Sequence, residues 1–276
     1  MARPSDFPPP FDPNDYVGPP TDPPEERLEA GIVIVGGGPA GLACANRLMQ
    51  HLADEPELAE QLGEIPVAVL EKGKACGAHN VSGANMRPSA MRELFPDLDE
   101  SEWPVYQKVE KDAVYLLTKR LAIPLKPPPP NFRNHGNYVT SVSKLSRWLA
   151  EKAEEAGAYI LTETAADKLL VEDRIVRGVR SGDKGRGRDG EELSNFEPGA
   201  DLIAKATVLA EGTIGHLTQC AIKYFGLEGD PPRWEIGVKE IWEVPKPLDR
   251  VIHTMNWPLR MRPKYNEFGG SFIYPM

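Results

Sequence analysis

The run GIVIVGGGPAGLACANRLMQHL, residues 31–52, decides the fold. Its first five residues are apolar and β-branched apart from Gly31, which is the pattern of a strand buried on both faces. A glycine-rich turn follows, and then an alanine- and leucine-rich stretch that reads as a helix. The turn carries Gly36-x-Gly38-x-x-Gly41. Each glycine has a separate reason to be there. Gly36 permits the tight turn, Gly38 lets backbone approach a pyrophosphate, and Gly41 lets the helix pack close to the strand. The helix start offers unpaired N–H groups and a positive dipole end to phosphate.

Working outward, the polar segment 53–66 lengthens a crossover. VAVLEK, residues 67–72, then reads as a second buried strand, completing a βαβ unit. Glu71 ends that strand and is placed to accept from ribose hydroxyls. It lies thirty residues beyond Gly41, more than the usual spacing of about 20, and the polar insertion explains the excess. The loop Cys76–Gly83 follows directly. Its small and polar residues suit a place where backbone meets a ligand. His79 and His135 are read as hydrogen-bonded loop histidines, with a catalytic role as the alternative for each.

Further along, residues 143–157 form an amphipathic helix with Leu145, Trp148, Leu149, Ala153 and Ala156 on one face and Gly157 beyond its end. Strands are expected at 158–163, 168–172 and 174–180, with a turn at Glu172 and Asp173. VLAEG, residues 208–212, closes another strand. It brings Glu211 and Gly212 either to the crevice above the first turn or merely to a strand-to-helix turn, and residues 216–226 read as the helix that follows. Residues 238–276 alternate apolar stretches with Pro and Gly, which suits an antiparallel sheet. A second match to the glycine pattern, Gly185-x-Gly187-x-x-Gly190, is flanked by Asp183, Lys184, Glu191 and Glu192 with no apolar helix after it. It reads as a charged loop between strands, so one dinucleotide site is expected.

Composition bounds the rest. The 276 residues carry 41 acidic against 32 basic side chains, a net charge of −9, which argues against a nucleic-acid surface. Hydrophobic residues at 41% exclude a wholly disordered chain. No apolar run reaches the ~18 residues of a spanning helix, and the N-terminus is not of the secretory-signal type. Three scattered cysteines, Cys44, Cys76 and Cys220, suit a reducing compartment and suggest neither a disulfide framework nor a metal centre. Residues 1–28 hold nine prolines, which favours extended chain: a flexible tail, or a strap laid over the domain by Phe7, Phe11 and Tyr16.

Taken together, IVIVGGGPAGLACANRL, VAVLEKGKACGAHNVSGA, NHGNYV, the GRGRDG loop, VLAEGTIGHLT, NWPL and GGSFIYPM resemble the electron transfer flavoprotein–ubiquinone oxidoreductase family from about Gly31 to the last residue. The resemblance implies an α/β fold. Its Rossmann-like FAD-binding domain, of the aromatic hydroxylase and geranylgeranyl reductase type, would take residues 29–103 and 135–230. An interleaved, partly present β-rich quinone-binding domain would take 104–134 and 231–276. It implies FAD against Gly36, Gly37, Gly38, Pro39, Ala40, Gly41, Glu71, Lys72, Ser82, Gly83, Glu211 and Gly212, and quinone against Gly269 and Gly270. Where many members carry an arginine after the NHGNY segment this chain has Ser141, so a contact from that side chain is lost or moved. The implied activity is transfer of electrons from electron transfer flavoprotein to ubiquinone by an enzyme held peripherally on a membrane, facing the bacterial cytoplasm or the mitochondrial matrix. Residues 79–100 correspond to the part that meets lipid, with Met91, Leu94 and Phe95 as a short apolar face. A 4Fe-4S cluster belongs to a C-terminal part absent here, so the chain is expected to be an N-terminal portion with no metal ligand of its own. The alternatives are a geranylgeranyl-reductase-like flavoprotein acting on isoprenoid double bonds, or an inactive fragment of the FAD fold.

Overall fold

A computed structural model describes residues 12–81, 83–227, 229–230, 235–259 and 269–276. In chain order the elements are β1 Val17–Gly18, β2 Leu28–Val35, α1 Pro39–Asp54, α2 Pro56–Leu62, β3 Val67–Leu70, β4 Gly83–Met86, α3 Ser89–Leu94, β5 Val105–Lys108, β6 Asp112–Leu117, β7 Ala122–Pro124, β8 Tyr138–Ser141, α4 Val142–Glu155, β9 Tyr159–Leu161, β10 Ala166–Glu172, β11 Ile175–Ser181, β12 Lys184–Arg186, β13 Glu192–Glu197, β14 Asp201–Leu209, α5 His216–Phe225, β15 Val251–Asn256 and β16 Gly270–Ile273. They divide into two compact units, Met1–Asn80 with Ser146–Glu235 and Val81–Leu145 with Ile236–Met276.

The first unit is α/β. Its seven-stranded sheet runs β1-β10-β11-β14-β2-β3-β9. The centre, β14-β2-β3-β9, is parallel throughout, and the hairpin β10-β11 joins it antiparallel. All four residues of β3 and the last three of β2 are buried, as strands covered on both faces must be. Val33, Val35, Leu70, Leu169, Val179, Leu202 and Leu217 form one core. On α1 the buried positions Leu42, Ala45, Asn46, Met49 and Leu52 follow helical spacing. Asn46 Nδ2 donates to the carbonyls of Leu42 and Leu149, 2.8 Å each, and so ties α1 to α4.

The sequence reading differs from the structure at several places. The crossover after α1 contains a short helix of its own, α2. The turn of the β10–β11 hairpin is formed by Asp173 and Arg174, both at positive φ. The charged glycine loop does lie between strands, as read: it is the tip of a small hairpin, β12 with β13. The proline-rich segment, in its described part, is fastened to the sheet: β1 pairs parallel with β10 at Val17↔Leu169 and Gly18↔Leu170. Phe7 and Phe11 lie outside the described residues.

The second unit holds a four-stranded sheet, β16-β15-β6-β7, and a three-stranded one, β4-β8-β5. β15 and β16 are antiparallel, but β15 pairs with β6 in parallel, a non-local match that alternation alone does not reveal. Val109, Val139 and Val251 pack at its centre with Phe272 and Tyr274. Residues 81–103 and 135–145, expected with the FAD part, group with this unit because β4 and β8 pair with one another and β8 pairs with β5. Met91 and Leu94 of α3 are buried and turn inward, while Phe95, the third residue of the short apolar face read here, is half-buried just beyond the helix.

Candidate functional site

Register builds the site. β14, β2 and β3 run parallel and end level, with Leu209 opposite Val35 and Val35 opposite Leu70. The next residues therefore leave the sheet in one row. Gly36 N–H donates to Leu70 O (2.9 Å), Ala210 N–H to Val35 O (2.8 Å), and Glu71 N–H to Leu161 O (2.9 Å). The glycine turn, Glu71 and the Ala210–Gly212 turn thus share the carboxyl edge of the parallel strands, where open α/β sheets take their ligands.

The three motif glycines answer to three constraints. Gly36 sits at φ +115°, and a Cβ there would run into Ala210 O. At Gly41 a Cβ would strike Gly36 O and press on Ile34 and Ala210. Gly38 is different: its backbone is extended and an added Cβ meets nothing within 4 Å. It therefore faces space that the protein leaves open, at the start of α1. That helix begins at Pro39 without a side-chain cap, so the N–H groups of Ala40 and Gly41 have no intrahelical partner. An open glycine face, free N–H groups and a helix dipole end fit a dinucleotide pyrophosphate. At Gly37 a Cβ would come within 2.7 Å of Cys76 Sγ and 2.9 Å of Glu71 Oε2, so Gly37 is needed for packing beneath the turn.

Glu71 is buried, and its Oε1 accepts from Gly73 N–H at 2.6 Å. His79 Nδ1 lies 3.6 Å from the same oxygen. Oε2 is the oxygen nearest the turn. Burial, followed by the Glu71 charge, pushes the Cys76 thiol up to about 11, so it stays neutral near pH 7 and serves as packing. Lys72 follows Glu71 at the end of the strand. Glu211 is turned away from the turn: its carboxylate accepts from the N–H of Leu217 (3.2 Å) and Thr218 (2.7 Å) and from Thr218 Oγ1 (2.7 Å). It caps α5, whose own N-cap, Gly215, has no side chain to do so. The sequence reading missed this role. Its signal was an acid shortly before a helix that starts without a Ser, Thr, Asp or Asn cap. Gly212, at φ +82°, faces open space beside it.

The remaining candidates stand apart from this row. Gly83 belongs to the second unit, where a Cβ would collide with the Tyr274 ring. Ser82 lies outside the described residues. Gly270 pairs with Met255, and Gly269 O accepts from Asn256 N–H at 3.1 Å. A Cβ on Gly270 would strike Thr254 O, and one on Gly269 would strike Leu259, so both glycines serve close backbone packing. An open cleft of about 360 Å³ in the second unit is walled by Asp112, Tyr115, Pro124, Lys126 and Arg250, and neither glycine lines it. His135 Nδ1 bonds to Glu110 O at 3.0 Å, a loop contact. Among the described residues no group of His, Cys, Asp or Glu is arranged to hold a metal, and no helix is long and apolar enough to cross a membrane.

No family model matches the chain. Individual proteins do. The chain is 40% identical over 249 residues to the mitochondrial electron transfer flavoprotein-ubiquinone oxidoreductase of Caenorhabditis elegans, covering 88% of this chain and 40% of that protein. It is 39% identical over 259 residues to the Pseudomonas aeruginosa protein of the same name, covering 90% and 45%. To the Mus musculus protein it is 42% identical over 255 residues, covering 89% and 39%. The chain thus spans about two fifths of the length of these relatives. Among solved structures, a geranylgeranyl bacteriochlorophyll reductase-like protein of Thermoplasma acidophilum aligns over 67% of this chain and 40% of its own, with 20% identity and a TM-score of 0.47. The probable FAD-dependent monooxygenase pqsL of Pseudomonas aeruginosa aligns over 75% and 48%, with 15% identity and a TM-score of 0.43.

Proposed function

We propose that the first unit binds FAD and that the chain works in electron transfer from electron transfer flavoprotein to ubiquinone. The observation that supports FAD is the open face of Gly38 at the uncapped start of α1, in the turn that packs against Glu71 just past the end of β3. The name carried by relatives about 40% identical over nine tenths of the chain supports the electron-transfer reading, and favours it over the isoprenoid reductase.

When bound, FAD supplies the electron-carrying chemistry through its isoalloxazine ring. The chain's own residues hold and position it. Ala40 and Gly41 offer their N–H groups to the diphosphate, and the α1 dipole favours its negative charge. Glu71, kept in place by Gly73 N–H, accepts from ribose hydroxyls through Oε2. Gly36 and Gly41 let strand, turn and helix approach closely enough to shape the cradle. The electron-transfer steps themselves need no acid–base residue, and the two protons that ubiquinone takes up with its two electrons are drawn from solvent.

Within the proposal, quinone contact belongs to the second unit, with Gly269 and Gly270 offered by resemblance. Contact with the membrane is peripheral, on its cytoplasmic or matrix side. Met91 and Leu94 are buried and do not supply it. Cys44, Cys76 and Cys220 are assigned to no iron–sulfur cluster. The experiment is titration of the flavin-free chain with FAD, followed by quenching of flavin fluorescence. Saturable binding of one FAD per chain is expected, and no saturation at high micromolar FAD would overturn the reading.

A further inference from the structure

A buried polar chain in the second unit serves none of this. Asn134, in the loop between β7 and β8, is nearly inaccessible. Its backbone N–H donates to Asp112 Oδ2 at 2.8 Å. Its Nδ2 donates to Asp112 Oδ1 at 2.7 Å and to Phe132 O at 3.0 Å, and lies 2.9 Å from His253 Nε2. Its Oδ1 accepts from Asn85 Nδ2 on β4. Only one orientation of the amide satisfies this set. Turned over, its oxygen would face a carboxylate and a carbonyl, and its nitrogen would face the Asn85 amide nitrogen.

The nitrogen of Asn134 therefore points at His253; its two hydrogens serve three acceptors, so one is shared, and His253 Nε2, 2.9 Å away, faces N–H and accepts part of it. The imidazole is then neutral with its hydrogen on Nδ1. The ring is half-buried between aromatic neighbours. Phe272 stacks on it at 4.8 Å and 28°, and Phe132 leans against it at 4.9 Å and 57°. Among the described residues Asp112 is the charged group that acts on it, and that carboxylate already takes two hydrogen bonds from Asn134.

We propose that His253 is an acid-released latch: neutral, it accepts from Asn134 and fastens β15 to the Asp112–Asn134–Asn85 chain that ties β6 to β4, and protonated, it sets N–H against N–H and releases β15 from that chain. The direction agrees with burial, which holds the imidazole below its usual range while Asp112 partly opposes the shift. An unfolded histidine titrates near ~6.5. With the folded midpoint lower, the unfolded chain binds more protons between the two values. The latch's contribution is then complete above about 6.5 and declines as pH falls toward the folded midpoint.

The test uses the whole chain. Long-range proton–nitrogen NMR of His253, assigned by sequential connectivity, is expected to show the Nδ1–H tautomer at pH 7.5 and a midpoint below the ordinary value. Urea midpoints measured from pH 7.5 to 5 should fall more steeply for the native chain than for His253→Phe. Each unit of depressed midpoint corresponds to about a tenfold change in the folded-to-unfolded ratio. An Nε2–H tautomer, a midpoint at or above the ordinary value, or parallel urea profiles would overturn the latch. Should His253→Phe fail to fold, the tautomer and midpoint of the native chain decide alone.

Discussion

Four glycines in two look-alike motifs separate folding from binding. Gly36→Ala and Gly41→Ala place a methyl group against backbone carbonyls, and Gly36 adds a positive φ. Both are expected to lower stability by about 1–3 kcal/mol, the range of overpacking and backbone strain, measured as a lower urea midpoint. Gly38→Val meets open space and extended backbone, so its urea midpoint should stay near that of the native chain. In the second motif, the nearest atoms to a Cβ on Gly187 are those of the movable Glu191 carboxylate, so Gly187→Val should also fold. At Glu71, substitution by Ala would remove the proposed ribose acceptor and also leave Gly73 N–H without its partner. Glu71→Gln keeps an oxygen for Gly73. It should weaken FAD about tenfold, equivalent to ~1.4 kcal/mol, with little change in stability. An unchanged dissociation constant in fluorescence titration would show that Glu71 does not reach the ribose. The glycine turn and the place of Glu71 just past the strand were legible in the sequence because turn chemistry is local. The packing of Gly37 on Cys76 and Glu71 was not, because it joins residues from two strand ends.

Among the elements, the segment before β2 illustrates what sequence reading could not supply. A two-residue strand carries no periodicity, and its partner, β10, lies some 150 residues away. The fastening is electrostatic as well. Arg180 Nη1 bonds to Asp22 Oδ1 (2.7 Å) and Asp201 Oδ1 (2.8 Å). Asp201 Oδ2 accepts from the N–H of Thr21 (2.6 Å) and Asp22 (2.9 Å). Asp201 is fully buried, so each of these bonds satisfies a group that water cannot reach. Arg180→Ala should cost about 3–5 kcal/mol because it strands a buried carboxylate. Asp22→Ala should cost less, about 1–3 kcal/mol. The hydrogen bond from Arg180 holds the Asp22 carboxyl below its usual range. Its stabilisation is thus present above the unfolded value of about 3.9 and is lost as pH falls through the folded one. Acid unfolding followed by circular dichroism should be shallower below pH 4 in Asp22→Ala than in the native chain. Equal slopes would mean that the strap is not held by this pair. Polyproline-like composition was readable, but which acids and which arginine meet is settled only by the sheet.

For the whole molecule, the βαβ unit was readable because buried strands and an amphipathic helix each advertise themselves locally. The second unit was less so. Its parallel β15–β6 pairing and the inward turn of Met91 and Leu94 depend on contacts between distant segments. The functional reading of the molecule rests on one site, the row formed by the glycine turn and Glu71. The measurement that bears on it most directly is flavin bound per chain, by absorbance after reconstitution and desalting, for the native chain, Gly38→Val and Gly187→Val. One FAD per native chain, none on folded Gly38→Val and native-like occupancy on Gly187→Val are predicted. Equal occupancy in all three, or equal loss in both variants, would contradict a single dinucleotide site at Gly36–Gly41.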